Sequence, residues 1–297
     1  MPPLKTKKSL TPLDALLAVL FVGMGLYLLY RVNIGLNYKW SWSTIPQYLF
    51  RYDPQQERWL PNLLMQGFFT TIRLSFWGTI LATLLGTMMG LFRLSHRLFR
   101  RLVGGAYVEL SRNLPPLVLI FLFYFFISDQ IMPVLSVEDF FQARSESTKT
   151  ILSFLFAPAE QFPTFLSALV TLAVFEGAYI TEIVRAGIQS IEKGQWEVSS
   201  ALGFSRKAQL RHIILPQAVQ RILPPLAGQF ISTIKDSAIV SVISIQELTF
   251  QGIELMSATY LTFEVWITIT LLYLSLTLSL SLAIGRLEMY MKHRGAG

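Results

Sequence analysis

Hydrophobic and polar positions along this chain fall into long alternating blocks. Apolar runs occupy residues 13–30, 67–92, 105–127, 163–190, 217–245 and 260–287, separated by polar, charged or aromatic-rich segments. A helix rises ~1.5 Å per residue, so about 20 apolar residues match a hydrocarbon core of ~30 Å. The first run is just long enough for that, and the others exceed it. The pattern predicts an all-α integral membrane protein with six transmembrane helices.

Detail inside the blocks sharpens this. The first run follows Lys5, Lys7 and Lys8. It is long for a signal-peptide core and no small-residue cleavage site follows it, so a retained anchor is predicted over a cleaved leader. Residues 33–61 carry Tyr38, Trp40, Trp42, Tyr48 and Trp59, side chains that prefer the headgroup level, and read as a loop at the outer interface. In the second run Gly78, Gly86 and Gly90 recur at multiples of four and open one face to close approach by another helix. Pro115 and Pro116 force a bend within the third run. Residues 128–162 are acidic on balance, with a short amphipathic helix around 151–156, and 246–259 reads as a short outer connection.

The polar insert at 191–216 differs in kind. Residues 195–202 predict a two-turn helix with Trp196, Val198 and Leu202 on its apolar side. Gly203 suits the end of that helix, because a left-handed residue costs glycine little. Ser205 is placed to cap a second short helix over 206–214 by accepting a free backbone N–H. Pro216 tolerates a first helical turn but not an interior, so a new helix is expected to start there. The product is helix, sharp bend, helix, lying at a membrane surface and shaped to be gripped by a partner.

Composition narrows the chemistry. The chain has 297 residues, of which 53% are hydrophobic and 14% charged, whereas soluble domains carry ~25% charged residues. It has no cysteine and only His96, His212 and His293, which argues against disulfides and metal sites. The net charge of +7 does not point to nucleic acid once its distribution is considered. With the segments numbered alternately, one side collects Lys5, Lys7, Lys8, Arg93, Arg97, Arg100 and Arg101. The same side takes Lys193, Arg206, Lys207, Arg211, Arg286, Lys292 and Arg294. The positive-inside rule then places both termini and the insert in the cytoplasm. No phosphate-cradling G-x-x-x-x-G-K-[ST] loop, nucleophile elbow or zinc helix is present, so the chain carries no ATPase or hydrolase site of its own.

Glu197, Gly203, Ile213, Leu215 and Pro216 match the spacing E-A-A-x3-G-x9-I-x-L-P, with Val198 and Ser199 at the two alanine positions. The flanks 177–185 (GAYITEIVR), 194–197 (GQWE), 229–232 (QFIS) and 235–237 (KDS) extend the similarity over about residues 61–290. On these motifs the chain resembles the membrane (permease) subunits of bacterial ATP-binding-cassette importers, in the polar-amino-acid uptake branch. The resemblance implies a type I importer permease core of five helices plus one N-terminal helix. Residues 1–60 would form a cytoplasmic tail, the first span and an outer interfacial segment. Residues 61–290 would form the permease core, with a cytoplasmic coupling loop at 191–216, and 291–297 a cytoplasmic tail. Trp196, Glu197, Leu202, Gly203 and Pro216 would couple the chain to an ATPase. The implied partners are a second permease, identical or homologous, two ATPase subunits holding ATP and Mg, and a periplasmic or tethered substrate-binding protein. An amino-acid substrate, the bacterial inner membrane and no cofactor in this chain complete what the family implies.

Charged groups within spans are expensive and usually face a bundle interior or a wet cavity. Here they are Arg73, Glu109, Arg112, Glu176, Glu182, Arg185, Lys235 and Asp236. Glu182 and Arg185 are three apart, which suits pairing with each other. An amino acid presents an ammonium and a carboxylate, so its route must offer both signs. Glu176, Tyr179, Gln229 and Thr233 are expected to face that route, with Arg73 nearest its outer half; ion pairs that lock helices are the structural alternative for each charge. Two rival functions remain. A stand-alone ion-coupled carrier would need internal repeats and broken helices at mid-membrane, yet the two halves do not resemble each other. A non-transporting scaffold leaves the buried charges unexplained. Arg73 favours acidic substrates and Glu176 basic ones, so the choice of amino acid stays open.

Overall fold

The computed structural model describes residues 12–35 and 38–294. They fall into two compact units, divided between Trp42 and Ser43. The first holds a helix, α1 (Pro12–Gly35, 24 residues), whose apolar side chains from Leu13 to Leu28 are exposed, Phe21 by 84%.

The second unit opens with a short helix, α2 (Ile45–Leu49), and a hairpin of β1 (Phe50–Asp53) and β2 (Arg58–Pro61), with Phe50 opposite Pro61. The stretch read as a plain loop is therefore partly structured, and Tyr52 and Trp59 face each other across the hairpin with ring centroids 5.6 Å apart. The long helix α3 (Leu63–Arg93) follows, then α4 (Leu98–Asn113) and α5 (Pro116–Phe126). After a π-turn come three short helices, α6 (Met132–Val134), α7 (Val137–Gln142) and α8 (Glu146–Leu155). The central helix α9 (Phe162–Gln189) leads into α10 (Lys193–Ala201) and α11 (Arg206–Gln209). The chain ends with α12 (Leu215–Asp236), α13 (Leu248–Thr259) and α14 (Thr262–Arg294).

Among the described residues, four stretches are long and apolar enough to cross a bilayer unbroken: Leu63–Arg93, Ala159–Gln189, Arg206–Ile243 and Thr262–Arg286. The pair α4 and α5 makes a fifth if counted together, although its arms are bent by 117°. A total of six rests on that pair and on α1. The third run was expected as one kinked span from residue 105, and the observed corner is far sharper. Leu114 (ψ 146°) and Pro115 (ψ 130°) are both extended, because the ring of each proline pushes the residue before it out of helical geometry.

The core is built on α3 against α9. A Cβ on Gly86 would lie 2.8 Å from Ile180 Cβ and 2.9 Å from the Gly177 carbonyl oxygen, so only glycine lets the two helices come this close. One apolar cluster joins Leu74, Ile120, Leu169, Leu172 and Val240, and a second joins Ile180, Ile188, Ile191, Ile214 and Ala218 beneath α10.

One expectation holds in more detail than foreseen and one is corrected. A helix does begin beside Pro216: α12 starts at Leu215 with the proline in its first turn, and a π-turn at Leu210–Ile214 joins it to α11, so that the chain stays helical from Arg206 to Ile243. In that turn the Leu215 N–H bonds the Leu210 carbonyl, five residues back. Such local re-registering is how helices absorb a proline without a break. Second, residues 246–259 are not a simple connection, because α13 folds down onto α3 and α14 and buries Leu248 and Leu255 against Val265 and Ile269.

Candidate functional site

Two places gather the chemistry-bearing residues: the bent loop beyond α9, and a buried carboxylate midway along the bundle. At the loop, Ile191 is buried and Arg221 donates to the Ser190 carbonyl, fixing where the chain leaves α9. In α10 successive side chains step round by about 100°. Trp196 and Val198 therefore cannot share a face, which corrects the apolar side assigned to this helix. Trp196 packs inward against the cluster around Ile188, Ile191 and Ile214, with the Arg206 guanidinium 5.7 Å from its ring centre. Glu197, Val198 and Leu202 face outward, the last two 62% and 70% exposed.

The bend is made by hydrogen bonds of the backbone. Leu202 N–H donates to the Val198 carbonyl at 3.0 Å, Gly203 N–H to Ser200 at 3.0 Å and Phe204 N–H to Ser199 at 3.1 Å. Gly203 has φ +78°, and nothing stands within 4 Å of where its Cβ would be. Backbone conformation alone, not crowding, demands glycine there. Ser205 Oγ accepts the Ala208 N–H at 3.4 Å and caps α11. Ser199 is buried, its hydroxyl bonded to the Trp196 carbonyl at 3.0 Å, so that position needs a small residue. Exposed Val198 does not, which accounts for the departure from two alanines. Pro216 is exposed in the first turn of α12.

Midway along the bundle, Glu176 on α9 is fully buried. Gln229 on α12 donates its amide to Glu176 Oε2 at 2.7 Å, while Oε1 has no hydrogen-bond partner. Thr233 is buried one turn on, its hydroxyl bonded to the Gln229 carbonyl at 2.9 Å, and the Asp236 carboxyl neighbours Glu176. Glu176, Gln229 and Thr233 thus come together. Tyr179 lies a turn along α9, its ring between Phe175 and the guanidinium of Arg112 at 5.4 Å. Arg73 stands apart from this group. Its Nη1 donates to the carbonyls of Phe156 (3.2 Å) and Ser153 (3.5 Å), tying the end of α8 to α3.

Two acids, half-buried Glu182 and fully buried Glu247, gained partners that were not foreseen. Glu182 pairs with Arg185, as its spacing suggested, at 2.7 Å, and also with Arg93, which had been counted only as a loop charge. Glu247 was not singled out at all. Its Oε1 accepts the Phe250 N–H at 2.8 Å, capping α13, and its Oε2 accepts the Tyr273 hydroxyl at 2.8 Å and the Thr71 hydroxyl at 3.3 Å. An acid directly before an apolar helix is the signal that marks it. It lies outside the spans, and burial raises its carboxyl to about 7 against this network of bonds.

Long apolar helices around a buried polar cluster, with a bent polar loop projecting from one end, suit a membrane transport subunit. Comparison with known proteins makes this specific. Residues 57–293 match the family of binding-protein-dependent transport system inner membrane components, and the chain belongs to it. The probable glutamine ABC transporter permease GlnM of Bacillus subtilis (strain 168) is 33% identical over 210 residues, 70% of this chain and 83% of that one. The glutamate/aspartate import permease GltJ of Escherichia coli (strain K12) is 31% identical over 69% of this chain and 78% of its own. Among solved structures, an amino acid ABC transporter crystallised with histidines superposes with a TM-score of 0.64 at 28% identity, covering 85% of this chain and 100% of that one. The inward-facing MetNI methionine transporter, at 18% identity and a TM-score of 0.56 over 77% of this chain and 95% of that one, shares the fold. The chain is therefore a permease subunit of an ABC importer, not an ion-coupled secondary carrier.

Proposed function

We propose that this permease imports polar amino acids across a bacterial inner membrane, with both termini and the bent loop on the cytoplasmic side. It works with a second permease, identical or homologous, two ATPase subunits that bind and hydrolyse ATP with Mg, and a periplasmic substrate-binding protein. Glu197, Val198 and Leu202 enter a cleft of the ATPase, Gly203 sets the angle of entry, and Trp196 roots the helix in the bundle. Pro216 stiffens the start of α12, so that movement of the loop is passed to the helix that carries Gln229 and Thr233.

The observation that carries this reading is the bend itself, with Leu202 70% exposed on a helix whose other side is anchored. A connection with no partner gains nothing by leaving such side chains in water. In the interior, the unpartnered Glu176 oxygen offers an acceptor for a substrate ammonium, with Gln229, Thr233 and Tyr179 as its polar surroundings. Arg73 serves the outer approach to that route. Nucleotide-driven closure of the ATPases alternates access to the route, and the binding protein biases it through its differential affinity for the two states.

The test is capture of the ATPase on the purified permease. The intact chain is expected to retain it and, in vesicles, to take up amino acids only with ATP. Gly203→Leu, which forces a side chain into a left-handed backbone, is expected to lose both while the permease stays monodisperse. Retained ATPase and uptake in that variant would overturn the assignment of the loop.

A further inference from the structure

An open cavity of about 670 Å³ has a lining that includes neither Glu176 nor Gln229. It lies where the end of α3 meets the start of α4, the end of α9 and the start of α10. Its floor is apolar, made by Leu91, Phe92 and Ile188. Its rim carries Arg97, Arg100, Lys193 and Arg206, and no carboxylate lines it. These four side chains are exposed, and among the described residues none makes an ion pair. Arg100 and Arg206 rest instead over Phe92 and Trp196, each 5.7 Å from the ring centre, which holds their charges at the mouth. The first turns of α4 and α10 bring two helix N-termini to the same place, adding the positive ends of their dipoles.

We propose that this cavity binds one anionic phospholipid, its phosphate among the four cations and the top of an acyl chain on the apolar floor. The floor is what selects a lipid over a free phosphate, since a soluble anion has no use for it. Beside the cavity Leu98 and Phe99 are 59% and 78% exposed, continuing the apolar surface into the bilayer. Cations gathered at the cytoplasmic ends of spans are the usual recognition site for such headgroups. Because the cavity wall includes Trp196, which roots α10, a bound lipid would brace the loop against the corner between α3 and α4. The inference rests on the cytoplasmic placement and ATPase coupling proposed above, and it predicts that coupling responds to membrane charge.

The assembled complex, permease with its ATPase, is reconstituted in vesicles of phosphatidylcholine alone and of phosphatidylcholine with phosphatidylglycerol. ATP-driven uptake should be several-fold faster in the charged vesicles, and native mass spectrometry should show one retained phosphatidylglycerol. Arg97→Gln with Arg100→Gln should leave uptake in neutral vesicles unchanged and abolish the stimulation. Retention should fall roughly five-fold per cation removed, equivalent to ~1 kcal/mol each. Equal uptake in both membranes, or stimulation that survives in the variant, would overturn the proposal. So would restoration of fast uptake in neutral vesicles by inorganic phosphate alone, which would make the ligand a free anion. Absence of ATP-driven uptake in every membrane would instead count against the importer reading on which the proposal rests.

Discussion

The two short helices set between long ones, α10 and α13, meet the same structural problem in opposite ways. Both turn the chain at an end of the bundle, and both are amphipathic enough to fold down. α13 buries one continuous side: Leu248, Gln251 and Leu255 are no more than 3% exposed, and its capping acid, Glu247, has both oxygens engaged. α10 folds down on one side only, through Trp196 and Ser199, and leaves Val198, Leu202 and Phe204 in the open. The difference teaches how to separate a strut from a handle. A strut finds its partners within its own chain, whereas a handle keeps its apolar and charged outer face for another.

Damage to each helix should therefore register on a different scale. Leu248→Ala removes a fully buried side chain from the strut and should cost ~2–5 kcal/mol of stability, seen as a large fall in melting temperature in detergent, without weakening ATPase capture by the permease that remains folded. Lost capture at full stability would break the comparison. The strut should also feel pH. The Glu247 carboxyl sits at about 7 in the fold against an ordinary value of 4.5, so between these values the folded state binds the extra proton. Stability is then greatest below about 4.5 and declines as pH rises through about 7, by on the order of 3 kcal/mol. Glu247→Gln should flatten that part of the melting-temperature profile. The smallest change belongs to the handle. Leu202→Ser should leave the melting temperature unmoved and weaken ATPase affinity about tenfold, measured by titration of the purified subunits.

What could be read from the sequence followed the range of the interactions involved. The four unbroken spans were legible because hydrophobic length is a property of single segments. The bend at Gly203 and the cap at Ser205 were legible because each is local chemistry, a left-handed residue and a hydroxyl one turn from the N–H it accepts. Ser199 and Val198 looked like equivalent departures from alanine until burial distinguished them. The pairing of Glu176 with Gln229, 53 residues apart, and of Glu182 with Arg93 depended on which helices touch, which hydropathy does not encode. Glu176 and Gln229 had been chosen one by one, as polar groups in apolar runs. Pro216 marked the start of α12 correctly, because proline's place in a first turn is local chemistry, but gave no sign of the π-turn that joins α12 to α11. α13 was hidden by its shortness, since twelve residues read equally well as a connection.

The central claim is that the outer face of α10 meets the ATPase while α13 does not. The chain has no cysteine, so a thiol can be placed at will. In the assembled complex, Leu202→Cys carrying a short cross-linker should join the permease to the ATPase in high yield. Ser257→Cys, exposed on α13, should give no such product. A cross-link to the ATPase from Ser257→Cys, with none from Leu202→Cys, would contradict the account.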